Sequence, residues 1–371
     1  MYHFNSLPHY REPLDSKDAE VLGASHTDTV RRVLALRSGN APTPLHELTQ
    51  LGRSLGLGAL FVKDEAGRLG LGSFKALGGA YALMILVREE AARHLSREVS
   101  IEELLSDEVR AVASRMTFAC ATDGNHGRSV AQGASLIGAS AAIFVHSGVS
   151  ASRIEAIARF GARIVHVEGT YDDAVEQASR VAADNGWTVL SDTSWPGYER
   201  IPGLVMQGYG AMVQEVLEAL PEPPTHVFLQ AGVGGLAAAV AGHLAVVVGA
   251  GRPHGTVLDP GPAACLHESA RAGRPVKVAE TQPTIMAMLE CYEPSLVAFR
   301  ILERVADGFM MIDEADIPPV MRRLAEPMPG DMPIVSGESG GAGLAGLLAV
   351  LRDPALAKRI GLGPQARVLV I

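Results

Sequence analysis

The stretch "TFACATDGNHGRSVAQGASLIGASAAIFVHSG" (Thr117–Gly148) decides the fold. "TFACA" is a short apolar run of strand length. A polar loop follows, in which Gly124 and Gly127 flank Asn125 and His126. Apolar residues then recur at helical spacing over 125–137, and "SAAIFV" is a second strand. The alternation continues with a helix over 151–160 and the strand "ARIVHV" at 162–167. A helix over 171–185 and the strand "WTVL" at 187–190 complete it. Repeated strand–helix units without hairpin signals predict a parallel sheet with helices on its faces.

Upstream, residues 1–40 read as a polar arm with a helix near 28–36, and "APTPLHEL" (41–48) as a turn entering a helix. "ALFVKDE" (59–65) is a strand, and a helix starts near Phe74. Downstream, "THVFLQ" (225–230) and "HGTVLDP" (254–260) are strands, and "AGVGGLAAAVAG" (231–242) is a glycine turn into a helix. The pattern loosens over 262–315. "MPIV" (332–335) reads as a strand end before the turn and helix of 336–351. The sequence stops on a last strand, "ARVLVI" (366–371). The fold class is therefore α/β in two lobes, each a mostly parallel sheet flanked by helices. Ligand sites in such folds lie at the carboxyl ends of strands, so the loops after "TFACA", "WTVL", "THVFLQ" and "MPIV" are the candidates.

Composition narrows the function class. A hydrophobic fraction of 47% over 371 residues supports a large core, and a net charge of −9 without a basic block argues against a nucleic-acid partner. The most apolar stretch, 235–251, follows a glycine turn and reads as a buried helix rather than a membrane span. The N-terminus has no basic segment leading into an apolar one, so a cytoplasmic protein is expected. Three cysteines without a C-x-x-C pair argue against a disulfide framework or structural zinc. Cys265 and Cys291 remain able to meet in space.

Four segments carry chemistry. Lys75 stands at the head of a small-residue helix, "GSFKALGGAYA" (72–82), where a bare ammonium is costly to bury. Gly232, Val233, Gly234 and Gly235 follow a strand and open a helix, so their N–H groups form an anion cradle. A dinucleotide, a phosphate monoester and a bare structural turn all fit that segment. "TDGNHGRS" (122–129) and "SDTSWPGYERIPG" (191–203) are polar loops after strands. Capped turns explain one or two of their residues, and Trp195 and Tyr198 suit either inter-lobe packing or a pocket wall. In "VSGESGG" (335–341), a serine hydroxyl is able to bond a neutral heterocyclic nitrogen, or Ser339 or Glu338 caps the helix. A lysine, a phosphate-sized glycine nest and a late serine are together the parts of a pyridoxal 5'-phosphate (PLP) site.

The segments "SFKALGGAYA", "TDGNHGRSVAQGA", "DTSWPGYERIPGLVMQGYGAM", "QAGVGGLAAAV", "TIMAMLECYEP" and "SGESGGAGL", in this order over nearly the whole chain, resemble the diaminopropionate ammonia-lyases. That family sits in the tryptophan-synthase-β-like (fold type II) group of PLP enzymes. The resemblance implies α,β-elimination of 2,3-diaminopropionate to pyruvate and two ammonia. Lys75 would hold the cofactor through its amine, Asn125 would bond the ring hydroxyl, and Gly232, Val233, Gly234 and Gly235 would hold the phosphate. Ser336 would face the pyridine nitrogen. Asp123 and Asp192 would be the acid/base carboxylates for the D- and L-substrates. Residues 1–85 with 195–371 would form a large PLP-binding domain and 86–194 a small one, in a homodimer that acts on a small amino acid; the residues themselves show no metal-binding cluster. One departure stands out: Asp259-Pro260 replaces the Glu-Pro that the family tends to carry. The sequence also stops sooner after its last strand than the resemblance leads one to expect. Two rival readings remain: a PLP ammonia-lyase for serine, threonine or hydroxyaspartate, and a nucleotide-binding regulatory protein built on the glycine turn, which leaves Lys75 without a role.

Overall fold

In the computed structural model of the chain, residues 1–122 and 124–371 are described. Among these residues eleven strands form two sheets. They are β1 (Tyr2–Phe4), β2 (Leu45–Glu47), β3 (Ala59–Lys63), β4 (Thr117–Ala121), β5 (Ser140–His146), β6 (Arg163–Val167), β7 (Thr188–Val189), β8 (His226–Gln230), β9 (His254–Pro260), β10 (Gly308–Ile312) and β11 (Arg367–Val370). The larger sheet has the order β1-β10-β9-β8-β11-β3-β2, and the smaller β6-β5-β4-β7. All pairings in the smaller sheet are parallel. The larger sheet is parallel through its five central strands, with antiparallel edges at β1 and β2.

The βα alternation appears where the sequence places it. The helices Asn125–Ile137 and Tyr171–Asn185 and strand β9 have the expected bounds. Three local readings are corrected. Leu45–Glu47 is a strand rather than the start of a helix, because Leu45 pairs with Lys63 and Glu47 with Phe61 across the sheet edge. The helix follows at Thr49–Ser54. Met332–Val335 has no strand partner and runs in irregular, mostly exposed backbone, with Val335 85% exposed. The loose region 262–315 contains two helices, Cys265–Ala272 and Leu296–Val305, before β10.

The helix Lys75–Leu95 packs between the helices Arg200–Ala219 and Asn125–Ile137. Its small residues let two helices approach closely, one on each side. A Cβ on Gly78 would fall 2.5 Å from Tyr209 Cε1 and 2.7 Å from the Val205 carbonyl, both on the helix Arg200–Ala219. On the other side, a Cβ on Gly133 of the helix Asn125–Ile137 would fall 2.8 Å from Ala80 Cα, and Ser129 Oγ accepts the Ala80 N–H at 3.0 Å. Glycine costs about 1 kcal/mol of helix propensity relative to alanine, and close packing at interior density offsets it. The loop before this helix is fixed by a buried ion network. Arg68 makes two-pronged bonds to both Glu65 and Glu215, and Lys63 donates to Glu215 at 2.6 Å. Glu65 and Lys63 thus have their charges satisfied within the protein, and the chain is held rigidly up to the residues that deliver Lys75.

Candidate active site

A cavity of about 330 Å³ opens at the carboxyl ends of β3, β8 and β11 and against the end of β4. This is where parallel α/β sheets place ligands. Lys75, Asn125, Asp192, Gly232, Val233, Gly234, Gly235 and Ser336 all line it. These residues stand in loops and at helix starts spread over more than half the chain. Asp123 lies outside the described residues.

Lys75 Nζ donates to Asp192 Oδ2 at 2.6 Å, and the two side chains are 27% and 15% exposed. Burial disfavours the ammonium, but the carboxylate beside it prevails and holds the lysine pKa above its usual value. The converse holds for Asp192. Burial pushes its carboxyl up, and the Lys75 charge overrides this and keeps it well below the ordinary aspartate range. Asp192 follows β7, and its loop is pinned to the other half of the molecule. Ser194 and Ser295 share a hydroxyl contact at 2.7 Å, and Ser194 Oγ accepts the Val297 N–H at 2.9 Å. Ser295 N–H also donates to Val233 O at 2.9 Å. One buried serine therefore ties the Asp192 loop to the glycine turn.

The glycine turn fits a phosphate. A Cβ on Gly232 would stand 2.9 Å from Cys291 Sγ. Gly234 has φ +99°, and a Cβ there would meet Ala298 and Leu266 at 3.1 Å. Side chains are thus excluded, the backbone is exposed to the cavity, and the N–H groups of residues 232–235 donate to no backbone carbonyl among the described residues. They stand at the head of the helix Gly235–Val248, whose dipole favours an anion. A phosphate monoester beside a lysine amine is the chemistry this donor set suits.

On the opposite wall, Asn125 opens its helix. Thr122 Oγ1 accepts the N–H groups of Gly124 and Gly127, each at 3.1 Å, and shapes the turn. His126 Nε2 lies 3.1 Å from the Leu190 carbonyl, which only accepts, so this nitrogen carries the proton. Its buried Nδ1 has no hydrogen-bond partner and lies 3.9 Å from Asp192 Oδ2. Burial lowers its pKa and favours the neutral ring. Ser336 lines the cavity and donates to Gly337 O at 2.9 Å.

Two alternatives left open by the sequence are decided here. Trp195 and Tyr198 do not line the cavity. Their rings stack on each other at 4.1 Å, and Tyr198 OH donates to Val189 O at 2.8 Å, bracing the Asp192 loop from behind. No disulfide joins Cys265 and Cys291, which lie on two sides of Gly232. Sequence reasoning also assigned no part to Tyr171, Glu290 and Cys291, which line the cavity. Tyr171 was within reach of the strand-end rule, since it opens the helix after β6. Glu290 and Cys291 lie in an irregular segment with no periodic signal.

A cavity at the switch between two parallel sheets, with an amine facing a phosphate cradle, defines a PLP-dependent enzyme of fold type II. The family model described as pyridoxal-phosphate dependent enzyme matches residues 36–371. The chain is 40% identical over 340 residues to diaminopropionate ammonia-lyase of Escherichia coli strain K12, covering 90% of this chain and 84% of that one. It is 39% identical over 341 residues to the enzyme of that name from Salmonella typhimurium, covering 89% and 84%. The crystal structure of the Escherichia coli enzyme in complex with D-serine superposes with a TM-score of 0.89 at 35% identity, over 100% of this chain and 92% of that chain. The chain belongs to the diaminopropionate ammonia-lyase family.

Proposed function

We propose that the chain binds PLP at Lys75 and eliminates the β-amino group of 2,3-diaminopropionate, with hydrolysis by one water releasing the second amino group, giving pyruvate and two ammonia. The observation that carries this is the Lys75–Asp192 pair, an amine and a carboxylate 2.6 Å apart at the edge of a phosphate cradle. When bound, PLP delocalises the charge left on the α-carbon as its proton departs. The protein supplies the rest. Gly232–Gly235 hold the phosphate and Asn125 bonds the ring hydroxyl, while Ser336 faces the pyridine nitrogen as a neutral partner. Asp192 is a weak base while the Lys75 ammonium sits beside it. Asp192 would be a stronger base wherever Lys75 stands as a neutral nitrogen, because burial would then raise its carboxyl pKa against less opposing charge. Asp192 then takes the α-proton from one face. A carboxylate that has taken up a proton is also able to return it to the leaving amine, which a hydroxyl does poorly.

Two enantiomers that share a carboxylate position present their α-protons on opposite faces, so one fixed base serves one of them. We assign Asp192 to the L-substrate and Asp123 to the D-substrate. Steady-state rates of Asp192→Asn on both enantiomers test this. Loss of L-turnover with D-turnover spared is expected, and equal losses on both refute the two-base scheme. We also propose the domain division 1–85 with 195–371 against 86–194, supported by β4–β7 falling within 117–189 and the larger sheet outside it. A cytoplasmic homodimer is proposed on the family resemblance. No helix among the described residues is long and apolar enough to cross a membrane.

A further inference from the structure

The substrate proposed above differs from serine or threonine at one group, an ammonium on its β-carbon. Five carboxylates among the described residues line the cavity: Asp64, Glu65, Asp192, Glu290 and Glu338. Four of them are accounted for. Asp192 pairs with Lys75 and Glu65 with Arg68. Asp64 faces His46 at 3.7 Å, and Glu338 is exposed at the first turn of its helix.

Glu290 is held differently. Its Oε1 accepts the Tyr292 hydroxyl at 2.6 Å, and no lysine, arginine or histidine among the described residues lies within ion-pair distance. A neutral phenol fixes the direction of the carboxylate and leaves its charge uncompensated. The segment is fixed too. Leu289 Cα and Cys291 Sγ lie 3.3 and 2.9 Å from where a Cβ on Gly232 would stand, so residues 289–291 pack directly on the phosphate cradle. The Val278 N–H donates to Tyr292 O at 2.8 Å, and Lys277 reaches Asp172 at 3.3 Å. Asp172 follows Tyr171, which lines the cavity from the smaller sheet's side. Glu290 therefore stands where the two halves meet beside the cradle, half-buried, with one oxygen free of protein cations.

We propose that Glu290 is a specificity-determining residue that receives the β-ammonium of the incoming diamino acid; this rests on the functional reading above. A fixed carboxylate repays the desolvation of an ammonium, while a hydroxyl at the same carbon gains only a neutral hydrogen bond. The residue thereby selects the diamine over hydroxy amino acids without taking part in bond breaking.

The test uses the holoenzyme and compares wild type with Glu290→Gln on 2,3-diaminopropionate and on serine, the latter as substrate or as competitor. The expected result is a KM for diaminopropionate raised about tenfold, with kcat nearly unchanged and the serine constant unmoved. Tyr292→Phe keeps the carboxylate but frees its rotation, and a smaller rise of the same kind is expected. In wild type the KM for diaminopropionate rises as the β-ammonium loses its proton, and in Glu290→Gln this dependence is flat. Equal changes for both amino acids, or no change in either variant, overturn the assignment. If wild type releases no pyruvate from diaminopropionate, the functional reading falls and the assignment with it. If wild type does so and the variants keep its selectivity, the assignment alone falls.

Discussion

Asp259→Asn isolates the energetic cost of one buried acid. Asp259 ends β9 and is 1% exposed. Its Oδ2 accepts the His267 N–H at 2.6 Å, while its Oδ1 is buried without a partner. Burial pushes the carboxyl up to about 8, against the opposing pull of the His267 and Leu266 N–H groups. An unfolded aspartate titrates near 3.9. The folded pKa lies above the unfolded one, so the native state holds an extra proton between the two values. Stability is then greatest below about pH 4 and falls by about 1.4 kcal/mol per pH unit until about pH 8, where it levels. Asparagine matches the protonated acid in shape, accepts the same N–H and never titrates. The variant should therefore gain on wild type by about 3 kcal/mol between pH 5 and pH 7, and by little more above pH 9. Urea unfolding of both proteins at pH 5, 6, 7, 8 and 9 measures the difference, in which the titration of all other groups cancels. Parallel stability profiles would refute the reasoning, because they would mean that Asp259 titrates alike in both states.

Two further substitutions probe the site's support. Gly78→Ala drives a methyl to within 2.7 Å of the Val205 carbonyl and Tyr209 ring. Overpacking of about 1–3 kcal/mol, less about 1 kcal/mol of helix propensity, leaves a net loss of about 1–2 kcal/mol. Thermal unfolding should fall by a few degrees and PLP affinity should weaken, because Lys75 lies one turn away; an unchanged melting temperature would contradict the close packing. Lys75→Ala should abolish the visible absorbance of the PLP-reconstituted protein and let the Asp192 pKa rise, since the main charge opposing burial is then gone. A visible band that persists unchanged would show that Lys75 is not the attachment point.

The sequence by itself determined the parts whose cause is local. The βα units over 117–190, the glycine turn at 232–235 and the helix starting near Phe74 follow from side-chain periodicity and backbone freedom within a few residues. Their positions in the structure agree with that reading. The family resemblance gave Asp192 its role, and the same local logic marked Lys75 and the loop that carries Asp192 as separate candidates. It had no means of seeing that they form one ion pair across 117 residues, because charge coupling depends on distance and burial and not on spacing in the chain. Edge strands were missed for a related reason. Tyr2–Phe4 and Leu45–Glu47 are three residues each, too short for a period, and exist only because β10 and β3 offer them partners. Met332–Val335 shows the reverse, an apolar run that stays irregular because no strand lies beside it. The aromatic pair Trp195 and Tyr198 and the carboxylates Asp259 and Glu290 make the final distinction. Residue type gave each of them a range of uses. Only the tertiary structure, by fixing which face is buried, which oxygen is unpaired and which charge lies opposite, decided between brace, silent acid and cavity wall.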